Sequence, residues 1–302
     1  MKQQQQKMPD TFIGTAGWSY KDWVPAFYPK GQSGGFDWLE FYSRYFNLVE
    51  VNATYYAYLS PKAAHGWVEK VEKAGNFLFT VKLHQDFTHA RKFEMANINA
   101  VQMNLDILSD AGRLGGLLMQ FPYSFSFDSA ALEHIRLLND IFGGYNRFLE
   151  VRNSSWNNEE AYSFLHELDI SLCTIDQPQL GRTVPFDPVV TNSRAYFRFH
   201  GRNAEAWKKS LGNYGKDQSY QEASERYKYL YSPGELVEIE SKIKEVYGRV
   251  KDIYVVMNNH PSTYGIVNAF EMMHMLRGRK KITVPENSLK AFPRLSPIAE
   301  AG

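Results

Sequence analysis

The 302 residues carry 34 lysines and arginines against 33 acidic residues, a formal net charge of +1, with 44% hydrophobic and 22% charged side chains. This content suffices for a large core and excludes a disordered chain, while near neutrality removes any global attraction to polyanions. A lone cysteine, Cys173, excludes an intramolecular disulfide and a cysteine-rich metal cluster.

The polar start from Met1 to Lys7 lacks the apolar segment of a signal peptide, and no stretch has the apolar length that spans a bilayer. Residence in the cytoplasm, with no membrane partner, is the expectation. Residues 1–10 read as a frayed tail, 11–290 as one domain and 291–302 as a C-terminal tail. The oligomeric state has no sequence signal.

Along the chain, the first β-like run is Phe12 to Gly14. Asp37 with Glu40 then signals a helix over Trp38 to Phe46, and the run Leu48 to Asn52 follows, carrying Glu50. Ser60-Pro61 opens a helix over Ala63 to Val71, ahead of the run Phe77 to Lys82. After Leu117 to Gln120, Asp128 or Ser129 starts a helix that runs through Ile141 and stops at Gly143-Gly144. Next come Phe148 to Val151, containing Glu150 and followed by Arg152, and then Leu172 to Asp176.

The stretch from Gln177 to Ser193 is the least regular, and Gly201 to Tyr231 also reads as a long loop; loops of this length are often lids or binding elements. Between them lies Ala195 to His200, carrying Arg198. Ser232, Pro233 and Glu235 form a capping signal before Leu236 to Tyr247. The last run, Asp252 to Asn258, precedes Asn259. The basic stretch Arg277 to Lys281 follows a helical segment and suits its C-terminal carbonyls better than a nucleic acid.

Eight runs alternating with helices predict an α/β fold, a TIM-like (β/α)8 barrel in one domain with long loops over the C-terminal face of the strands. Polar residues at strand ends then converge on one mouth.

The blocks Gly14-Thr15-Ala16-Gly17-Trp18-Ser19-Tyr20, Phe46 to Tyr56, Leu118-Met119-Gln120-Phe121-Pro122, Glu150-Val151-Arg152, Asp176-Gln177-Pro178, Tyr196 to Arg202 and Tyr254 to Asn259, in that order, resemble the YecE-like family, also called the domain of unknown function 72. The resemblance covers nearly the whole chain and implies a TIM-like barrel without an established reaction. Ala16 stands where serine is common in that family, and Met257 replaces an aromatic before the paired asparagines.

Glu50 and Glu150 stand in similar settings and are the candidate acid and base; the competing reading is an ion-pair network with Arg152 or Lys82. Lys82, Arg152, Arg198 and Arg202 form a cationic set suited to carboxylate or phosphate. His84, His89 and His200 with Glu50, Glu150 and Asp176 supply donors for a divalent metal, but no short motif pins them. His200 serves equally as a proton shuttle, and Asp176 as its orienting partner or a ligand.

Trp18 and Tyr20 are the aromatics expected on a ligand, with Trp23, Tyr55, Tyr56 and Trp156 nearby and suited to sealing the core. Asn52, Gln120, Asn258 and Asn259 would add neutral hydrogen bonds. Gly14 to Gly17 lacks both phosphate-loop fingerprints, leaving no nicotinamide or flavin signature.

The functional expectation is a hydrolase acting on a polar anionic substrate, through a phosphoester or glycosidic bond. In it Glu50 or Glu150 moves the proton and Arg152 with Arg198 stabilises negative charge. The alternatives are a noncatalytic binder of nucleic acid or an anionic ligand, and an interaction scaffold.

Overall fold

The eight apolar runs become eight parallel strands closed into a barrel. The computed structural model describes residues 8–32, 34–212 and 219–302. Its barrel strands are β1 (Asp10–Ala16), β2 (Leu48–Val51), β3 (Leu78–Lys82), β4 (Leu114–Gln120), β5 (Arg147–Glu150), β6 (Ile170–Asp176), β7 (Arg194–Phe199) and β8 (Asp252–Met257). They pair in chain order, and β8 closes on β1.

Parallel neighbours need crossover connections. Helices supply all but one of these, namely α1 (Trp38–Tyr42), α2 (Pro61–Lys70), α3 (Met95–Asp110), α4 (Ser129–Phe142), α5 (Glu159–Glu167) and, between β7 and β8, α6 (Ala204–Gly212), α7 (Tyr220–Ser224) and α8 (Pro233–Lys244); the irregular stretch 177–193 joins β6 to β7, and α9 (Tyr264–Leu276) follows β8.

Local sequence explains the helix starts. Asp37 accepts from the amides of Leu39 and Glu40, Asp128 from that of Ala131, and Ser232 with Glu235 forms both halves of a capping box. The segment expected as one loop over 201–231 instead carries α6, α7 and a 3-10 turn at Glu225–Tyr227, because its aromatics pack as helical faces. Within it, residues 213–218 lie outside the described residues, as do residues 1–7 of the expected N-terminal tail; Asp10 already belongs to β1.

At the other end, the stretch 291–302 is no tail. After β9 (Ile282–Val284) and α10 (Glu286–Ala291), β10 (Ala299–Ala301) pairs in parallel with β9, and Leu295 is fully buried.

Strand parity divides the core in two. One set of side chains, including Ile13, Val49, Phe79, Leu149 and Val255, packs outward against the helices. The other, with Phe12, Leu48, Leu118, Phe148, Tyr196 and Tyr254, fills the barrel, where the ring centroids of Phe148 and Tyr196 lie 4.4 Å apart. Strand β4 begins three residues before the expected Leu117 because Gly115 and Gly116 interrupt the apolar run. A Cβ on Gly116, at φ +151°, would stand 2.5 Å from the Phe148 ring.

Between β1 and β2 the Tyr42 hydroxyl replaces a ladder bond, accepting from the Thr15 amide at 2.8 Å and donating to the Leu48 carbonyl at 2.9 Å. Only glycine fits beside it: a Cβ on Gly14 would fall 1.8 Å from the Leu48 carbonyl oxygen. Gly14→Ala should therefore destabilise by at least about 1–3 kcal/mol in thermal unfolding. Gly66→Ala, inside α2 with nothing within 4 Å of its Cβ, should instead stabilise by roughly 0.5–1 kcal/mol.

Candidate functional site

The parity that fills the barrel also selects which strand-end residues face its mouth. Inward positions continue from Leu48 to Glu50 and Asn52, from Thr80 to Lys82, from Leu118 to Gln120, from Phe148 to Glu150 and Arg152, from Tyr196 to Arg198 and His200, and from Val256 to Asn258. These are nine of the expected polar residues, standing at or just beyond strand ends and brought together by closure of the sheet.

At the base of the mouth, Arg198 joins two acids. Its Nε and Nη2 donate to Glu50 Oε2 at 2.9 Å and Oε1 at 2.6 Å, and its Nη1 donates to Glu150 Oε2. Tyr196 donates to Glu50 Oε2 at 2.8 Å. Arg152 holds the other Glu150 oxygen through Nε at 3.2 Å and Nη2 at 3.0 Å. Both glutamates have no exposed surface. Two acids and two guanidiniums balance, which makes charge burial tolerable.

Burial acts to raise the Glu150 carboxyl, but Arg198, His200 and Arg152 together hold it well below the usual range. It therefore stays ionised and bonded at neutral pH, poorly suited to donate a proton. His200 is pushed down to about 3, chiefly by burial. With Asn258 Nδ2 donating to its Nδ1 at 2.8 Å, the ring proton sits on Nε2, which faces Glu150 Oε1 at 3.4 Å without hydrogen-bond alignment.

Lys82 differs from its neighbours. The surrounding network is already neutral without it, so an ammonium there is surplus charge in a poorly solvated place. Burial, then Arg198, lowers its pKa to about 7 against the pull of Glu150 and Glu50. Its Nζ lies 3.8 Å from the centroid of the Tyr55 ring.

Above this network opens a cleft of about 160 Å³, continuous with solvent. Lys82, Arg152 and Arg198 line it from the barrel, Arg226 and Tyr227 from the turn after α7, and Asn52, Gln120, Asn258, Tyr20, Tyr56 and His260 complete most of the wall. No carboxylate lines it among the described residues. The Oδ1 atom of Asn52 is buried without a hydrogen-bond partner, whereas Gln120 Nε2 is committed to the Phe121 carbonyl at 2.6 Å.

Four expected site residues stand elsewhere. Asp176 has the opposite parity to the inward Cys173 and Ile175, so it meets Arg202 at 2.9 Å and accepts from the Tyr231 hydroxyl outside the cleft. Burial raises its pKa despite those partners. Arg202 reaches on to Glu235 and Glu238. Asn259, next to the inward Asn258, tethers the Tyr229 carbonyl and the Asn268 side chain. Trp18 turns away after Gly17, whose φ is +81°, and packs edge-on against Trp67 of α2.

Other expectations resolve similarly. Tyr20 stays at the cleft, stacked on His260 with centroids 4.5 Å apart, while Trp23 and Trp156 are buried in the core. The irregular stretch 177–193 contributes no residue to the cleft; it is pinned beside β5 by Val184 to Arg152 and Ser154 to Arg182 backbone bonds. The metal donors are dispersed. His84 stacks on Tyr58, His89 contacts Tyr55 and Thr88, and among the described residues no three His, Cys, Asp or Glu side chains are grouped to hold an ion. The basic stretch after α9 is partly neutralised where Arg279 bonds Glu240 at 2.6 Å.

Sequence reasoning missed Arg226, Tyr227, His260 and Trp207. The buried Trp207 indole lies 5.4 Å from both Arg152 and Arg226, so it joins the α7 turn to the barrel. Burial acts to raise Tyr227, but Arg226, Arg152 and Arg198 lower its pKa overall. The available signal was the alternation of charge and aromatics from Glu225 to Tyr229.

A family model described as a protein of unknown function, DUF72, matches residues 12–292. The chain is 28% identical to the UPF0759 protein YunF of Bacillus subtilis over 277 residues, covering 88% of this chain and 94% of that one. It is 25% identical to the UPF0759 protein YecE of Escherichia coli K12 over 189 residues, 61% of this chain and 65% of YecE. The crystal structure of a DUF72 family protein from Thermotoga maritima aligns with TM-score 0.76 at 31% identity, covering 89% of this chain and 99% of that one. One from Enterococcus faecalis aligns at 0.75 and 25% identity, covering 88% and 95%. No described helix is long and apolar enough to cross a membrane.

Because the Glu150 pKa is depressed from about 4.5, its ionised form stabilises the fold above that pH, and the contribution is lost as pH falls through the lower folded value. Glu150→Gln should cost about 3–5 kcal/mol near pH 7 by leaving buried guanidinium charge unbalanced. The gap to wild type in thermal unfolding should narrow below about pH 4.5; a pH-independent gap would contradict the network.

Proposed function

We propose, from the premise that this chain belongs to the DUF72 family, that its barrel mouth is an enzyme active site for a small organic anion. The observation that carries this reading is the cleft itself, with Lys82, Arg152, Arg198 and Arg226 in its wall and no described carboxylate there. Guanidinium groups match phosphate and carboxylate oxygens, and in a partly desolvated cleft the attraction exceeds its value in water. Arg152 and Arg198 retain N–H groups beyond those bonded to the acids, and Arg226 Nε is buried without a hydrogen-bond partner.

Within hydrolysis, this setting favours a phosphoester over a glycosidic bond. Glycoside cleavage needs two carboxyl groups flanking the sugar, but Glu50 and Glu150 both clasp Arg198 below the cleft. They orient the cation. A phosphoryl group on Arg152, Arg198 and Arg226 would have its developing charge stabilised, while Lys82, its pKa lowered to about 7 by burial, takes a proton from water.

A noncatalytic anion or nucleic-acid binder is the second reading, favoured by Tyr56, which lies at the cleft with 72% of its surface exposed and offers a face to a base. Salt-sensitive binding of oligonucleotide without turnover would support it.

The test compares chromogenic phosphomonoesters with glycosides. Phosphomonoester turnover should rise as pH increases through about 7, where Lys82 loses its proton beside Arg198, Arg152, Glu50, Glu150 and His89. Arg226→Ala should weaken binding of inorganic phosphate by about 10-fold or more. Lys82→Met should abolish turnover yet raise Tm by a few degrees, since a lysine with depressed pKa costs folding stability below pH 10.5, most fully below about 7. Glycoside turnover, or a fall in Tm for Lys82→Met, would overturn the assignment.

A further inference from the structure

Lys82 has a chemical capacity beyond proton transfer. Its Nζ rests on the face of Tyr55, and no carboxylate lies within ion-pair distance of it among the described residues. Glu50 and Glu150 are taken by Arg198 and Arg152. An amine kept from a counter-ion, partly desolvated and close to other cations meets the conditions under which lysine becomes a nucleophile. The same cleft holds the guanidiniums of Arg152 and Arg226 and the phenol of Tyr227. Nucleophile, anion anchor and proton donor therefore share one opening.

We propose that Lys82 forms an imine with an aldehyde or ketone whose anionic group, a phosphate or carboxylate, is held by Arg152 and Arg226. This rests on the anion-binding reading of the cleft and not on the hydrolytic one.

The Nζ lone pair forms the C–N bond as the carbonyl π bond opens, and the carbonyl oxygen takes a proton to give the carbinolamine. Tyr227, whose phenol is made more acidic by Arg226, supplies that proton. The ammonium formed at Nζ returns a proton to the Tyr227 phenolate, and a proton from solvent then lets the hydroxyl leave as water while the nitrogen lone pair closes the C=N bond; the sum is amine, carbonyl and one solvent proton giving protonated imine plus water. No oxidant or reductant is needed. The protonated imine then withdraws electrons from the adjacent carbon, placing the substrate in the class whose C–C or C–H bond next to a carbonyl is broken.

The experiment incubates the full chain with pyruvate, glyoxylate or glycolaldehyde phosphate, reduces with borohydride, and locates adducts by intact mass and peptide mapping. Phosphate binding is measured on the same proteins by calorimetry. One adduct per chain is expected at Lys82, suppressed by excess phosphate and absent in Lys82→Met. Arg226→Ala should lower its yield about 10-fold, and acetaldehyde should give little.

Phosphate binding without a Lys82 adduct from any of the three carbonyl compounds would overturn the imine and leave the anion site standing. A Lys82 adduct equally strong with acetaldehyde would overturn the anionic substrate class. Adducts scattered over surface lysines, with no phosphate binding, would overturn both readings.

Discussion

One guanidinium shared between two buried carboxylates organises this barrel. Arg198 on β7 reaches Glu50 on β2 and Glu150 on β5, so a single side chain ties three separated strands together inside the closed sheet. Such a group is stable only as a set, because losing any member leaves uncompensated charge in a place water scarcely reaches. The set also explains the character of the cleft. Acid charge is consumed below, while cationic edges and an uncommitted lysine face upward.

The network redistributes the roles that the residue types suggest. Two glutamates at equivalent strand ends look like an acid and a base, yet arginine bonds hold both in place, and Arg198 and Arg152 keep Glu150 ionised. The histidine beside them is neutral because burial, aided by Arg152 and Arg198, outweighs the pull of Glu150. Burial, with Arg198 beside it, lowers the Lys82 pKa to about 7 against the pull of Glu150 and Glu50.

Parity governs the remaining assignments. Asp176 and Asn259 are strand-end polar residues as clearly as Glu50 and Asn258, but a strand alternates its faces and these two point away from the axis. From the sequence, β6 is the ambiguous case: Leu172-Cys173-Thr174-Ile175-Asp176 is apolar or small on both faces, so its pattern does not declare which face is inward. Arg226 and Tyr227 were harder still to find. Their place depends on a helical excursion after β7 that folds back over the mouth, anchored by Trp207 between two arginines.

The sequence by itself determined the barrel, the order of its strands, the main helix caps and the strand-end origin of Glu50, Lys82, Gln120, Glu150, Arg152 and Arg198, because apolar periodicity and capping are local properties. Tertiary structure alone decided which of these pair and which remain available. Pairing between residues 148 positions apart, the cancellation of charge around Lys82 and the return of the α7 turn to the mouth arise from closure of the sheet. Desolvation belongs to that closed arrangement, and no local stretch of residues encodes it.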